Sequence, residues 1–177
     1  LTYDFSHTPI STLKGMKERT VYLNGFSKTF AMTGWRVGYA CGPKEIIAGM
    51  TKIHQYTMLC SPIMGQIGAI EALKGSQQYV AAMKREYKRR REFIVDSLNE
   101  IGLECPKPDG TFYVFPSIKK TSMKSMEFAK GLLRKEKVAV VPGTAFGKEG
   151  EGYIRISYAS SMSDLKEAAE RIKNYAG

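Results

Sequence analysis

The chain has 177 residues, 43% of them hydrophobic, and a formal net charge of +10. This length and composition suit one or two compact domains with a buried core, and no apolar run approaches the roughly 20 residues that span a membrane. Three cysteines without a CxxC pair and only two histidines argue against a zinc site, so we predict no bound metal. We predict a cytoplasmic location, where thiols stay reduced.

The first part of the chain alternates strand patterns with helix patterns. TVYLNGF (20–26) and RVGYACG (36–42) are rich in β-branched and aromatic residues, which predicts two strands, the second of them buried. Residues 43–58 and 62–74 have helical patterns, and Pro62 suits the first turn of the second helix. This order of elements predicts an α/β fold.

A long basic helix is predicted next, for residues 76–101. Most of the positive charge lies within it, in KREYKRRRE (84–92), and apolar residues recur around that run at helical spacing. We therefore expect one buried face, with the basic side chains in solvent. No RNA-binding aromatic motif or helix-turn-helix pattern accompanies them, so we predict no nucleic-acid partner.

Shorter elements alternate after Gly102. The patterns predict strands at 110–117, 137–143 and 152–159 and helices at 123–136 and 163–176. We expect Ser163 to be the N-cap of the last helix. The helix at 123–136 is expected to bury four residues: Met126, Ala129, Leu132 and Leu133.

The segment GFSKTFAMTGWRVG (25–38) contains a lysine and an arginine among glycines and aromatic residues. A lysine amine attacks an aldehyde only when it is neutral, and burial or a nearby cation lowers the lysine pKa in that direction. The planar guanidinium of Arg36 suits a phosphate, and Ser27 adds a hydroxyl beside Lys28. An aldehyde cofactor that carries a phosphate would require such groups, although a surface lysine and an ion-paired arginine fit the residue types equally well.

The whole segment resembles the pyridoxal-phosphate attachment signature of the class I and II aminotransferases, which have fold type I. GTFYVFP (110–116) is similar to the first small-domain strand of that family, and VVPGTAFGKEGEGYIRISYA (140–159) to its PGxxFG…R segment. Aspartate and aromatic aminotransferases are the members that the chain resembles. The resemblance implies the C-terminal part of the large cofactor domain, a three-layer α/β/α structure, in residues 1–75, and a small α+β domain in residues 76–177.

The resemblance also implies roles for single residues. Lys28 would form the Schiff base with pyridoxal 5′-phosphate and carry the proton during the reaction. Arg36 and Ser27 would bind the cofactor phosphate near the backbone of Gly25, where many members have a serine. Arg155 would bind the α-carboxylate of the substrate, whereas without the family an arginine in an apolar strand is more often a buried ion-pair partner.

The implied activity is the transfer of an amino group from an α-amino acid to a 2-oxo acid in two half-reactions, by a homodimer. The N-terminal half of the family supplies an aspartate for the pyridine nitrogen, and we expect this chain to be a C-terminal half that is inactive, or nearly so, alone. Three alternatives stay open: a pyridoxal-phosphate lyase or synthase of the same fold, the aminotransferase-like sensor domain of a transcription regulator, and an oligomerisation module. The sequence does not identify the amino acid.

Overall fold

The computed structural model describes all of the chain, Leu1–Gly177, which forms two compact units. The first unit comprises Leu1 and Phe5–Ala82, and the second comprises Thr2–Asp4 and Met83–Gly177. None of the helices combines the length and the apolar character that crossing a membrane requires. The division at residues 75 and 76 concerns the domains of the full-length protein and stays a prediction.

The first unit is built on a two-stranded antiparallel sheet. Strand β1 (Tyr22–Gly25) pairs with strand β2 (Gly38–Cys41), and a single-turn helix, α1 (Phe26–Thr29), follows β1 directly. Two longer helices complete the unit, α2 (Lys44–Thr57) and α3 (Ile63–Lys74). Both lie within one residue of the predicted bounds at each end, and a proline directly precedes each helix, where it marks the start.

Both strands are shorter than predicted, and the prediction that the second is buried is wrong for this chain. Tyr39 and Cys41 are exposed, since β2 pairs only with β1. The two strands approach closely at Gly38, where a Cβ atom would lie 3.0 Å from the carbonyl oxygen of Asn24. Glycine at this position therefore lets β1 and β2 stay paired up to their ends.

The second unit contains a three-stranded antiparallel sheet in the order β3-β5-β4, and α5 (Ser125–Glu136) packs against β4 of this sheet. Helix α4 begins before the division between the units and continues into the second. The elements are α4 (Gln78–Glu100), β3 (Tyr113–Val114), α5 (Ser125–Glu136), β4 (Val141–Pro142), β5 (Ile154–Ser157) and α6 (Met162–Ala176).

Fully buried apolar side chains from the helices and from β5 form the core of the second unit. They are Ile94, Leu98, Phe128, Leu132, Ile154 and Ile172. The predicted inward face of α5 is partly wrong, because Met126 and Leu133 are 47% and 50% exposed and Phe128 is buried instead. The buried residues of α5 follow a single stripe along the helix, and that stripe lies beside the predicted one.

The N-cap of α6 is Ser161 and not Ser163. The hydroxyl oxygen of Ser161 accepts a hydrogen bond from the backbone N–H of Asp164 at 3.1 Å. Ser163 lies inside the first turn, where its hydroxyl contacts that of Ser161 at 2.7 Å. Ser161 is the cap because its backbone is still extended, directly before the helix begins at Met162, whereas Ser163 already lies within the helix.

One basic residue of α4 is buried, contrary to the prediction that the whole run lies in solvent. The Arg91 side chain is 1% exposed, and its Nη2 donates to Asp4 Oδ2 at 2.6 Å. Its Nη1 donates to the carbonyl of Pro108 at 2.8 Å, and the Tyr3 ring lies 4.3 Å from its guanidinium carbon. These contacts offset the cost of removing the Arg91 guanidinium from water.

Asp4 also accepts a hydrogen bond from Lys88. Hydrogen bonds from Lys88 and Arg91 lower the pKa of Asp4 to about 2. The carboxylate is thus charged across the whole neutral range, and it joins residues 2–4 to α4 within the second unit.

Candidate functional site

Residues 26–37 form a closed loop between β1 and β2, and this loop carries Ser27, Lys28 and Arg36. Strand pairing ends at Gly25 and Gly38, which lie opposite each other. Immediately inside the loop, the backbone N–H of residue 26 donates to the carbonyl of residue 37 at 3.1 Å. The sheet therefore fixes both ends of the loop, and the lysine and the arginine extend from one small scaffold.

A small apolar cluster anchors the loop to α3. Its buried members are Phe26, Met32, Val37 and Ala69. Gly65 of α3 lies so close to the loop that a Cβ atom there would be 2.5 Å from Val37 Cγ2 and 2.8 Å from the carbonyl oxygen of Trp35. The two residues on either side of Arg36 thus contact α3 directly, which fixes the backbone from which the guanidinium extends.

The backbone of the loop is locally strained at two residues. Arg36 has φ +55° and ψ 47°, and Ala31 has φ +53°. A non-glycine residue in this left-handed region costs on the order of 1–2 kcal/mol, and such residues are concentrated at functional sites. The conformation is maintained by hydrogen bonds, from Arg36 Nη1 to the Thr33 carbonyl at 2.8 Å and from Thr33 Oγ1 to the Ser27 carbonyl at 3.1 Å.

These two hydrogen bonds connect Arg36 and Ser27, the predicted phosphate ligands, through Thr33. Ser27 is half-buried, and the Lys28 and Arg36 side chains are exposed. Within this chain, burial therefore does not shield the Lys28 side chain from water. An exposed guanidinium and a hydroxyl on the same short loop as a lysine amine fit an aldehyde that carries a phosphate. Gly25 contributes backbone only, and its N–H already donates to Asn24 Oδ1 at 2.7 Å.

A cavity of about 850 Å³ lies at the other end of the β1–β2 pair. It is lined by Thr20, Tyr22, Cys41 and Pro43 among others, and neither Lys28 nor Arg36 reaches it. Tyr22 and Cys41 form the pair of residues farthest from the loop in the strand register. The size of this cavity therefore gives no support to the candidate site, which rests on the chemistry of the loop.

Arg155 lies in the second unit, on the central strand of the sheet, and is half-buried. Its guanidinium carbon lies 4.3 Å from the centroid of the Tyr113 ring and 4.6 Å from that of the Phe146 ring. No carboxylate of the chain pairs with it, unlike Arg91, Arg90 and Arg171. The alternative of a buried ion-pair partner therefore does not describe Arg155 in this structure.

Sequence reasoning missed Phe146 as a neighbour of Arg155. The residue ends a short 3-10 turn, Gly143–Phe146, that follows β4. The sequence signal for such a role is an aromatic residue in a glycine-rich turn, since the side chain there does not belong to the buried face of a helix or strand. Tyr113, the other ring beside Arg155, is only half-buried.

Comparison with known proteins assigns the chain to a family. Residues 2–172 match the family described as aminotransferase class I and II. The chain belongs to this family. It spans somewhat less than half the length of the curated relatives that it matches.

Two relatives and one solved structure illustrate the similarity. The chain is 57% identical to YugH of Bacillus subtilis, which is named provisionally as an aminotransferase; the match covers 99% of this chain and 45% of that protein. It is 49% identical to an aspartate aminotransferase of Pyrococcus abyssi, covering 96% of this chain and 44% of that protein. The crystal structure of an aromatic aminotransferase from Pyrococcus horikoshii OT3 superposes with a TM-score of 0.94 at 48% identity, covering 98% of this chain and 47% of that one. The predicted fold class, the C-terminal part of a fold type I transferase, is confirmed.

Proposed function

We propose that the full-length protein is a pyridoxal-phosphate-dependent aminotransferase that moves an amino group from an α-amino acid to a 2-oxo acid in two half-reactions. The observation that carries this proposal is the closed loop 26–37, which presents an amine, a hydroxyl and a guanidinium from one anchored backbone. Membership of the class I and II aminotransferases supports it. When bound, pyridoxal phosphate supplies an aldehyde and a ring that accepts electrons from the substrate.

We assign Lys28 the covalent attachment of the cofactor and the transfer of protons at the substrate Cα. Its helix α1 is a single turn, and the residue at its N-terminus, Phe26, belongs to the buried cluster. The backbone beside Lys28 is therefore fixed, and the Lys28 side chain is exposed. A proton carrier needs this combination, because its nitrogen must reach two atoms in succession from one anchor point.

Arg36 and Ser27 are assigned to the cofactor phosphate. The Thr33 carbonyl accepts a hydrogen bond from Nη1 of Arg36, and the structure gives no acceptor in this chain to Nε or Nη2. These two nitrogens lie on one edge of the guanidinium, the edge that binds two phosphate oxygens in parallel. The Thr33 contact thus orients the guanidinium and leaves its bidentate edge available.

Arg155 is assigned to the α-carboxylate of the substrate. Its guanidinium has no carboxylate partner in the chain, so its donors are available to an external one. A central strand of a sheet also supports a binding residue more rigidly than a loop does. We propose aspartate or an aromatic amino acid as the amino donor, because the names of relatives include both.

The experiment that tests this function measures product formation by the full-length protein with pyridoxal phosphate, with and without a 2-oxo acid acceptor. An aminotransferase consumes the amino acid beyond one equivalent only when the acceptor is present. Continued product formation without the acceptor would indicate a lyase or synthase instead. Cofactor binding without turnover of any amino acid would favour the sensor domain of a transcription regulator. The homodimer, the cytoplasmic location and the inactivity of the 177-residue chain alone stay predictions.

A further inference from the structure

The surroundings of Arg155 suggest how its guanidinium is positioned. We propose that Tyr113 and Phe146 form an aromatic clamp that fixes the guanidinium of Arg155 through its flat faces, leaves its N–H edge for the carboxylate of the substrate, and thereby sets the affinity for amino acids and 2-oxo acids. This inference rests on the proposed function, because it assumes that Arg155 binds that carboxylate.

The strand register places the two rings on opposite sides of β5. Tyr113 lies on β3 and pairs with Ser157, so it shares a face of the sheet with Arg155, two residues from Ser157. On the other side of β5, Arg155 pairs with Val141 of β4, and the turn after β4 carries Phe146. One ring therefore approaches the guanidinium from each neighbour of the central strand.

Both rings lie within the range of a cation–π contact. The distances of 4.3 Å and 4.6 Å from the guanidinium carbon to the centroids are well inside the limit of about 6 Å for such contacts. Arg155 is only half-buried, so the rings shield part of the group and leave part of it accessible. The charge is thus stabilised by ring faces and not by a counter-ion.

Further aromatic residues support the clamp. Phe115 contacts Phe146 edge-on at 5.9 Å between centroids, and its other neighbour, Tyr153, stacks on it at 5.7 Å with an interplanar angle of 19°. Phe112 lies 4.4 Å from Tyr113 between ring centroids. Neither ring of the clamp is an isolated side chain, so each has a defined position before a substrate arrives.

The available donors are the feature that links the clamp to binding. Arg91 uses both Nη1 and Nη2 within the chain, on a carbonyl and a carboxylate. The guanidinium of Arg155 has ring contacts and no ion pair, so its orientation is fixed without occupying its hydrogen-bond donors. A guanidinium that is already oriented loses less conformational entropy when it binds a carboxylate through two parallel bonds.

The test uses the full-length protein with bound pyridoxal phosphate and three single variants: Phe146→Leu, Tyr113→Leu and the conservative Phe146→Tyr. Leucine removes the ring face, so we expect each leucine variant to raise KM for the amino acid and the dissociation constant of a non-reacting carboxylate, such as maleate or 3-phenylpropionate, roughly 3- to 30-fold. Phe146→Tyr retains the face and should leave both values within about twofold of the wild type. Cofactor absorbance should be the same in all three variants, which shows that the loop 26–37 is intact.

A second arm separates the clamp from the function on which it rests. In an Arg155→Ala background, Phe146→Leu should weaken carboxylate binding no further, because the group that the ring positions is gone. If Arg155→Ala weakens carboxylate binding but neither leucine variant does so, the clamp is refuted and the proposed function stands. If Arg155→Ala leaves carboxylate binding unchanged, the role assigned to Arg155 fails, and the clamp fails with it. An equal effect of Phe146→Leu with and without Arg155 would also overturn the clamp.

Discussion

Replacing Gly65 with alanine tests whether the packing of α3 supports the loop that carries Lys28 and Arg36. A Cβ atom at this position would lie 2.5 Å from Val37 Cγ2 and 2.8 Å from the Trp35 carbonyl oxygen. Carbon atoms pack at about 3.5–4.0 Å, so the helix and the loop would have to separate by roughly 1 Å. Neither neighbour can move alone, because one is backbone and the other is a buried β-branched residue whose carbonyl accepts the hydrogen bond that closes the loop.

The expected magnitude follows from two opposing terms. Overpacking a well-filled site costs about 1–3 kcal/mol of unfolding free energy, and alanine in place of glycine inside a helix returns up to about 1 kcal/mol. Gly68, one turn further along α3, is the matched control. A Cβ there would meet the Trp35 ring at 3.1 Å and the Met32 methyl carbon at 3.3 Å, and these side chains can shift. We expect Gly65→Ala to be less stable than Gly68→Ala by about 1–3 kcal/mol.

Equilibrium urea unfolding of the two full-length variants, followed by circular dichroism, measures this difference. The displaced loop should also bind pyridoxal phosphate more weakly in Gly65→Ala than in Gly68→Ala, as measured by titration of the cofactor absorbance. Equal unfolding free energies together with equal cofactor affinities would refute the account of how α3 positions the loop.

Three further predictions concern single side chains. Arg36→Lys should weaken pyridoxal-phosphate binding about tenfold without changing the fold, because an ammonium cannot make two parallel bonds to the phosphate; a cofactor titration checks this, and an unchanged affinity would contradict it. Leu132→Ala should lower the unfolding free energy by about 2–5 kcal/mol, and Leu133→Ala by well under half of that amount, since only Leu132 is fully buried. Urea unfolding of both variants tests which face of α5 is buried. Equal losses of unfolding free energy would contradict the observed face. The folded-state pKa of Asp4 lies at about 2, below its ordinary value of 3.8, so its contribution to stability is present above about pH 4 and is lost as the pH falls through about 2. Thermal melting measured between pH 4 and pH 2 should therefore show a smaller acid-induced loss of stability for Asp4→Asn than for the wild type. Equal losses in the two proteins would contradict the contact between Asp4 and α4.

The elements that the sequence predicts well are those whose signals are local. The bounds of α2 and α3 follow from prolines and from helical periodicity, and both agree with the structure. The segment 25–38 has residue types that are unusual in combination, and residues 26–37 within it form one closed loop in the structure. In each case the decisive residues lie within about a dozen positions of one another.

The features that the sequence does not predict depend on distant partners. Asp4 and Arg91 are 87 positions apart, so a basic run that looks solvent-exposed contains one buried arginine. The strand predicted at 110–117 forms a continuous ladder with β5 only over Tyr113–Val114, and its further pair with that segment, Ser117 with Tyr153, is an isolated bridge. The contact between Phe146 and Arg155 likewise follows from the order of the sheet, which periodicity does not specify.

The most direct test of the proposed function is to identify which lysine of the full-length protein binds the cofactor covalently. The full-length protein would be incubated with pyridoxal phosphate, reduced with borohydride, digested and mapped by mass spectrometry, alongside Lys28→Ala and, as a matched control, Lys44→Ala at the exposed start of α2. We predict that the wild type and Lys44→Ala carry the reduced cofactor on the peptide that contains Lys28, and that Lys28→Ala carries none. Stoichiometric labelling of another lysine, or equal labelling of Lys28→Ala, would contradict it.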